Sequence, residues 1–545
     1  MPITELLVKN AQNYPDQICL TEISPDSGEK NGLTWKDYNL VEGAHNFKYR
    51  KELSWRSFDF HANKFANLLI ERGVKRGDKV GILLMNCIEW LPIYFGILKT
   101  GALAVPLNFR YSSDEIKYAL DLANVSVLIM GHEFTERMSE IKDNIPDINT
   151  IFFLGYGRPD FAESYELAVN LCSEQAPDIK LKDNDDAAIY FSSGTTGRPK
   201  AILHTHTSLM SACIVEQNHH SQTHDDVFLC IPPLYHTGAK MHWFGSLLSG
   251  GSAILLRGIK PKWIVETASN EKATIVWLLV PWAQDILDAI ESGEVNLADY
   301  DLSAWRLMHI GAQPVPPSLI KRWMKYFPNH EYDTNYGLSE SSGPGAVHLG
   351  VENIHKVGAI GKAGFNWKTR IVDENGNDVA SGDVGELILS GDGLMTCYYR
   401  DPEATAATLK NGWLYTGDMA REDEDGFIFL VDRKKDVIIT GGENIYPVQI
   451  EDFLRGFDKI KDSAVIGLAD NRLGEIAAAI IEVKPGVSCT EEDIVQYCEQ
   501  LPRYKRPHKI IFDIVPRNAT GKIEKPKLRA QYSGGSVVKQ QFEIE

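Results

Sequence analysis

Residues 190–200 read Tyr-Phe-Ser-Ser-Gly-Thr-Thr-Gly-Arg-Pro-Lys, a run whose hydroxyls, glycines and closing lysine suit the binding of phosphate. Ser192, Ser193, Thr195 and Thr196 bring hydroxyl donors, Gly194 and Gly197 let the backbone turn its amides toward an anion, and Lys200 adds a positive charge. The preceding Asp186 to Phe191 is apolar enough to predict a short buried strand. A phosphate loop commonly follows a strand in this way. No glycine is followed at the required spacing by Gly-Lys-Ser/Thr, so the stretch is not a Walker A loop.

Four further stretches carry chemistry. Tyr336-Gly-Leu-Ser339-Glu340 sets a hydroxyl and a carboxylate beside a glycine turn; Tyr415-Thr-Gly-Asp418 presents a second carboxylate; Asp432-Arg433 joins opposite charges; and Asn518-Ala-Thr-Gly-Lys522 places a lysine at a glycine turn. A single motif of this kind carries little weight alone.

The surrounding pattern predicts α/β architecture. Residues 60–72 and 89–100 have helical spacing, while 79–84 and the neighbourhood of Val105 read as strands. The same alternation recurs at 227–231, 252–256 and 273–279, and such units favour parallel sheets covered by helices. Residues 365–432 differ: short runs are broken by Asp-Glu-Asn-Gly-Asn, Ser-Gly-Asp and Glu-Asp-Gly turns, which predicts an antiparallel or barrel-like β subdomain. After Asp432 the charged run Arg433-Lys-Lys-Asp436 precedes a fresh α/β pattern through 448–457, 463–468, 477–483 and 491–501. The expected division is therefore a large N-terminal domain of parallel-type sheets over 1–432 and a small C-terminal α/β domain over 433–545. The octets beginning at Leu33 and Leu53 resemble each other, and the region near 33–52 reads as an insertion.

At 545 residues the chain should hold roughly two to four structural units. Its formal net charge of −18 argues against a general nucleic-acid or anionic-membrane binder. Eight scattered cysteines without Cys-x-x-Cys point to reduced thiols in the cytoplasm, and no apolar run reaches the length of a membrane span. The partners expected are small molecules, without nucleic acid or an integral membrane segment, and a homodimer is an assembly open to such a chain. A basic cluster, Arg503, Lys505, Arg506, Lys509, Arg517, Lys522, Lys525, Lys527 and Arg529, suits either a phosphate-rich ligand or an ordinary solvated face.

Together and in this order, the five stretches resemble the adenylate-forming superfamily of acyl-CoA synthetases, firefly luciferase and peptide-synthetase adenylation domains, over roughly residues 53–530. The resemblance implies an enzyme in which a carboxylate attacks the α-phosphate of ATP, giving an acyl-adenylate from which a thiol displaces AMP. It places the β and γ phosphates on Thr195, Thr196 and the loop amides, with Ser192, Ser193, Gly194, Gly197 and Lys200 around them. Mg²⁺ would lie at Glu340 and Thr195, oxygen ligands that suit a hard cation. Adenine would meet Gly311, Ala312, Gln313, Asn335, Tyr336 and Gly337, with Ser339 nearby, and the ribose would meet Asp418 and Arg433. Lys522 would reach the substrate carboxylate and the α-phosphate; with Glu340, Thr195 and His236 it makes the expected catalytic set. Lys435 falls at the family's hinge, where the C-terminal domain would rotate to bring Gly441 and Gly442 toward the pantetheine of coenzyme A.

Pro232-Pro-Leu-Tyr-His236 matches the segment lining the acyl pocket in that family. Lys240 could pair a second carboxylate or point away to water. No aspartate occurs between Tyr235 and Leu248 to hold an ammonium, which disfavours amino-acid substrates. Trp277, Ala312, Gly337, Gly343, Gly345 and Val347 are further pocket candidates, and the small ones among them would leave room for an extended or ring-bearing acid. The reading is an ATP-dependent, AMP-forming acyl-CoA synthetase for a medium- or long-chain fatty, aryl or alicyclic acid. The alternatives are a ligase loading a separate carrier protein and, more remotely, a luciferase or a catalytically silent nucleotide-binding homologue.

Overall fold

The computed structural model describes residues 1–25, 49–192, 199–311, 315–348, 351–440, 443–517 and 523–533, without the side chains of 240–242, 351–352 and 443. Two large sheets organise the first part. In the eight-stranded sheet, Lys79–Leu83 pairs in parallel with Leu103–Pro106 and Val125–Gly131, and Leu103–Pro106 pairs in parallel with Asp186–Phe191. Ala201–Thr205 then returns antiparallel and accepts the short Cys397–Tyr398 strand at its edge. In the nine-stranded sheet, Glu331–Gly337, Leu307–Gly311, Ile275–Leu279, Val227–Cys230, Ser252–Leu256 and Ile18–Ser24 run parallel, flanked by antiparallel strands at both ends. Apolar runs such as Ile275–Leu279 are buried along their full length because both faces of a parallel sheet are covered.

Helices fill the space between the sheets. Trp55–Glu71 starts at Ser54, whose hydroxyl accepts from Ser57 N at 3.2 Å, and buries Trp55, Phe58, Ala62, Phe65 and Leu69 at helical spacing. Trp90–Lys99 is buried along its whole length, and Phe95 packs edge-on against Phe58 at 5.6 Å. Trp243 lies 6.3 Å from Trp55, so three helices share one aromatic core. Within it, Lys99 Nζ pairs with Asp59 Oδ1 at 2.5 Å and donates to Asn63 Oδ1 at 2.5 Å. A buried ammonium is tolerable only with such partners.

Residues 368–433 form a five-stranded antiparallel sheet, as the regular turns predict. Ile438–Thr440, Glu443–Ile445, Ile460–Asp470, Gly474–Val483 and Lys509–Phe512 build a fourth sheet, with Pro447–Arg455 packed on it and hydrophobic clusters of its own.

One boundary moves. Residues 49–52, expected within an insertion, belong to the Tyr49–Ser54 edge strand, which pairs antiparallel with Ile18–Ser24. The Tyr49 hydroxyl donates to buried Glu22 Oε1 at 2.6 Å and lies 3.1 Å from Arg257 Nη1, which ties this strand into the core. The remainder of the expected insertion, 33–48, lies outside the described residues.

Candidate active site

The phosphate-loop candidates Ser193, Gly194, Thr195, Thr196 and Gly197 lie outside the described residues, as do Ala312, Gln313, Gly441, Gly442 and Lys522. The flanks of the loop are described. Ser192 N donates to Lys200 O at 3.0 Å, and Lys200 N donates to Ser192 Oγ at 3.0 Å, so the two ends of the loop close on each other. The loop thus leaves Asp186–Phe191 and returns into Ala201–Thr205, between antiparallel neighbours.

The returning strand positions the carboxylate predicted for the metal. His204 Nε2 lies 2.7 Å from Ser339 O, and since a carbonyl only accepts, that nitrogen carries the proton. Burial holds His204 neutral by lowering its pKa to about 4. The same strand pairs with Cys397–Tyr398, and the Tyr398 hydroxyl donates to Glu340 Oε1 at 2.8 Å. Met395 N donates to Glu340 O at 2.8 Å, and Lys200 Nζ sits 4.6 Å from the centre of the Tyr398 ring. Glu340 is therefore held from below by His204 through Ser339 and from the side by Tyr398. Burial, followed by the charge of Glu340, pushes the Tyr398 phenol above its ordinary range and keeps it a donor.

Neither His204 nor Tyr398 was among the sequence candidates. His204 interrupts the apolar run Ala201-Ile-Leu at a buried position, and a polar group there demands a partner. Tyr398 lies just before Asp401, whose carboxylate caps Pro402–Thr408 by accepting from Ala404 N at 2.9 Å.

A second cluster gathers four residues upstream of Glu340. Tyr336 donates its hydroxyl to Asp418 Oδ2, and Arg433 Nε lies 2.5 Å from Asp418 Oδ1. Asp418 and Arg433 face each other across neighbouring strands, so their pairing follows from sheet register. Burial works against the Arg433 charge, but Asp418 together with Tyr336, Glu340 and Asp436 offsets it and raises the guanidinium's pKa. Tyr336 is 7% exposed, with burial and then Asp418 raising its phenol. Asn335 Nδ2 donates to Glu216 Oε1 at 2.8 Å, while Gly311 ends the adjacent parallel strand.

On the acyl side, His236 precedes Thr237–Ser249 and its ring lies 4.2 Å from that of Tyr235. The orientation of Lys240 lies outside the described side chains. Trp277 is buried, and its Cη2 stands 3.1 Å from where a Cβ on Gly238 would be. A Cβ on Gly337 would meet Gly343 O at 2.6 Å, and one on Gly345 would meet Leu389 Cδ1 at 2.6 Å. At both positions the missing side chain lets a neighbour, Gly343 O or the Leu389 side chain, come close.

The basic C-terminal cluster is also partly committed elsewhere. Lys525 Nζ pairs with Glu451 Oε1 at 2.9 Å, Arg529 Nη2 with Asp436 Oδ1 at 2.7 Å, and Arg517 grips Asp462 with Nε at 2.7 Å and Nη2 at 2.9 Å. Lys525 and Arg529 hold the last helix to the Pro447–Arg455 helix and to Asp436, and Arg517 holds its approach to the Ile460–Asp470 strand.

Residues 8–399 match the model of the AMP-binding enzymes, and residues 449–522 match that of the AMP-binding enzyme C-terminal domain. The chain belongs to the AMP-binding enzyme family. It is 33% identical over 483 residues to the long-chain-fatty-acid–CoA ligase FadD13 of Mycobacterium tuberculosis, covering 87% of this chain and 92% of that protein. It is 31% identical to the feruloyl-CoA synthase of an Amycolatopsis species, over 88% of this chain and 94% of the relative. Among solved structures, the anthranilate CoA ligase AuaEII in complex with anthranoyl-AMP superposes with a TM-score of 0.84 at 25% identity, over 97% of each chain. This protein is an AMP-forming acid–thiol ligase, an acyl-CoA synthetase working with ATP and coenzyme A.

Proposed function

We propose that Tyr336 through Glu340 form the spine of the active site, with the ribose of ATP at Asp418 and Arg433 and its phosphates between the 192–200 loop and Glu340. The observation that supports this is the double anchoring of one short segment: Tyr336 is bonded to Asp418 and Glu340 to Tyr398. Asp418 offers carboxylate oxygens suited to a vicinal diol, and Arg433 fixes their direction. Glu340 fits a hard cation, because it is a half-buried carboxylate that Tyr398 holds through Oε1. Glu340 and Thr195 would hold magnesium, which when bound offsets the phosphate charge that repels an incoming carboxylate.

In this reading an oxygen of the substrate carboxylate bonds to the α-phosphorus as the bond to pyrophosphate breaks. Lys522 neutralises the charge that builds there. The thiolate of coenzyme A then bonds to the acyl carbon, and AMP leaves. A rotation of the C-terminal part beyond about residue 433 would exchange Lys522 for the 440–444 turn between the two steps. The separate hydrophobic clusters of that part support its moving as a body.

The acid is proposed to be a medium- or long-chain fatty, aryl or alicyclic carboxylate. The relatives' names, a long-chain-fatty-acid–CoA ligase and a feruloyl-CoA synthase, support that range, as does an indole ring at Trp277 beside Gly238. A cytoplasmic setting is supported by eight free cysteines, and a homodimer is the assembly to test by light scattering. The functional test measures ATP-dependent pyrophosphate release over fatty, aromatic, alicyclic and dicarboxylic acids, each with and without coenzyme A. Turnover that rises with one acid class and with coenzyme A supports the reading. Release indifferent to coenzyme A but completed by a phosphopantetheinyl carrier protein replaces it with carrier loading.

A further inference from the structure

His219, His220, His309 and Asp333 converge beneath the nucleotide segment, on side chains that the ligation reaction does not use. His219 Nε2 lies 2.6 Å from Asp333 Oδ1, while His220 Nε2 and His309 Nδ1 lie 2.7 and 3.0 Å from Asp333 Oδ2. The two nitrogens facing Oδ2 are themselves 3.1 Å apart. Each of the four side chains is at least 97% buried, and the ligand atoms of His219, His220 and Asp333 all fall within 4.8 Å of one another.

We propose that His219, His220 and Asp333, with His309 as a fourth donor, form a binding site for a divalent transition metal, zinc in the first instance. The triangle of His220 Nε2, His309 Nδ1 and Asp333 Oδ2 has edges of 2.7, 3.0 and 3.1 Å. Around zinc, bonds of about 2.0–2.1 Å in tetrahedral array separate neighbouring donors by roughly 3.3 Å, so small outward shifts bring these atoms to ligand spacing. Three imidazoles and one carboxylate are a donor set that first-row divalent metals prefer to the hard cations calcium and magnesium.

The surroundings support a cation. Glu216 is fully buried and its Oε2 stands 3.3 Å from His220 Nδ1, the nitrogen facing away from Asp333. A carboxylate behind a ligating histidine orients the ring and raises its basicity toward a metal. Two buried carboxylates, Glu216 and Asp333, so near one another also favour a positive charge between them. The other oxygen of Glu216 accepts from Asn335 at 2.8 Å, and Asp333 lies two positions before Asn335 in the same strand. A metal here would brace the end of the His206–His219 helix against the strand that leads to Tyr336. Asn218, next to His219 at the helix end, is exposed.

The test uses the full chain, purified without a polyhistidine tag and without chelator, and reads metal content by elemental analysis. About one equivalent of zinc per chain is expected. After chelation, added zinc should raise Tm, and added cobalt should give the visible absorption of a tetrahedral site. His219→Gln and Asp333→Asn, checked for folding by circular dichroism, should bind zinc at least about 10-fold more weakly. If Asp333→Asn fails to fold, His219→Gln carries the comparison. A folded wild-type chain that holds no metal and whose Tm ignores zinc, cobalt and nickel overturns the proposal and leaves a hydrogen-bonded core network. Unchanged binding by folded His219→Gln overturns it as well. Metal content is read without turnover, so failure here is distinct from failure of the ligase assay.

Discussion

The Tyr398 hydroxyl donates to Glu340 Oε1 at 2.8 Å across a separation of 58 positions, and it joins the strand beside the phosphate loop to the carboxylate proposed for magnesium. Removing the hydroxyl leaves the ring in place over Lys200 but frees the carboxylate to rotate. Tyr398→Phe is expected to lower kcat about 10-fold with little change in Tm, since a hydrogen bond to a charged group contributes about 1.5–3 kcal/mol. Glu340→Gln should cost more, and its loss should not be restored by raising magnesium. Steady-state kinetics at several magnesium concentrations check both; wild-type behaviour of Tyr398→Phe would remove this contact from the mechanism.

Asp418 is bound from two sides, by Tyr336 and by Arg433. Asp418→Asn should raise KM for ATP about 10- to 100-fold, the magnitude of a lost charged hydrogen bond. Because the proposed role is recognition of the ribose diol, the variant should discriminate less between ATP and 2′-deoxy-ATP than the wild type does. A double-mutant cycle with Tyr336→Phe should show coupling, since the two side chains are in contact.

Lys522→Ala is expected to slow acyl-adenylate formation about 100-fold or more, while thioester formation from supplied acyl-adenylate proceeds near the wild-type rate. Rapid-quench measurement of each half-reaction decides the matter. Equal loss in both would end the two-conformation reading.

Stability should fall in mild acid. His204, His206 and His330 are buried, and burial lowers each to about 4 from an ordinary 6.5. The unfolded chain therefore takes up protons first, so stability that is complete above about pH 6.5 is lost as pH falls toward 4, by up to about 1.4 kcal/mol per histidine per pH unit. Asp432 acts in the opposite sense: burial raises it to about 6 from 3.8, so its contribution is complete below about 3.8 and is lost as pH rises through 6. Urea unfolding between pH 7 and 4.5 should show the histidine slope dominating, and His204→Gln should flatten it. An unchanged slope in that variant would contradict the assignment.

The buried Lys99–Asp59 pair offers a stability test away from the site. Lys99→Ala should destabilise the protein by about 3–5 kcal/mol, because it strands a buried carboxylate. Replacing both partners with apolar residues of similar volume should recover much of that loss, as read by chemical denaturation.

What could be read from residue order follows from the range of the forces involved. The strands at 79–83, 186–191 and 252–256, the helix read over 60–72 and found over Trp55–Glu71, and the antiparallel block after 365 are governed by local periodicity and turn chemistry, which act over a few residues. Ser192, Lys200, Glu340, Asp418 and Arg433 stand out as candidates because hydroxyls, glycines and charges cluster within short runs. Tyr398 on Glu340, His204 on Ser339, and three histidines around Asp333 do not, because each arises from sheet order and register that bring distant segments together. The same holds for Gly337 and Gly345: composition makes them small, but only the fold sets Gly343 and Leu389 close against them. Arg517, Lys525 and Arg529 likewise look like a basic patch until folding delivers Asp462, Glu451 and Asp436 to them, since charges separated along the chain pair only when tertiary contacts exclude water between them.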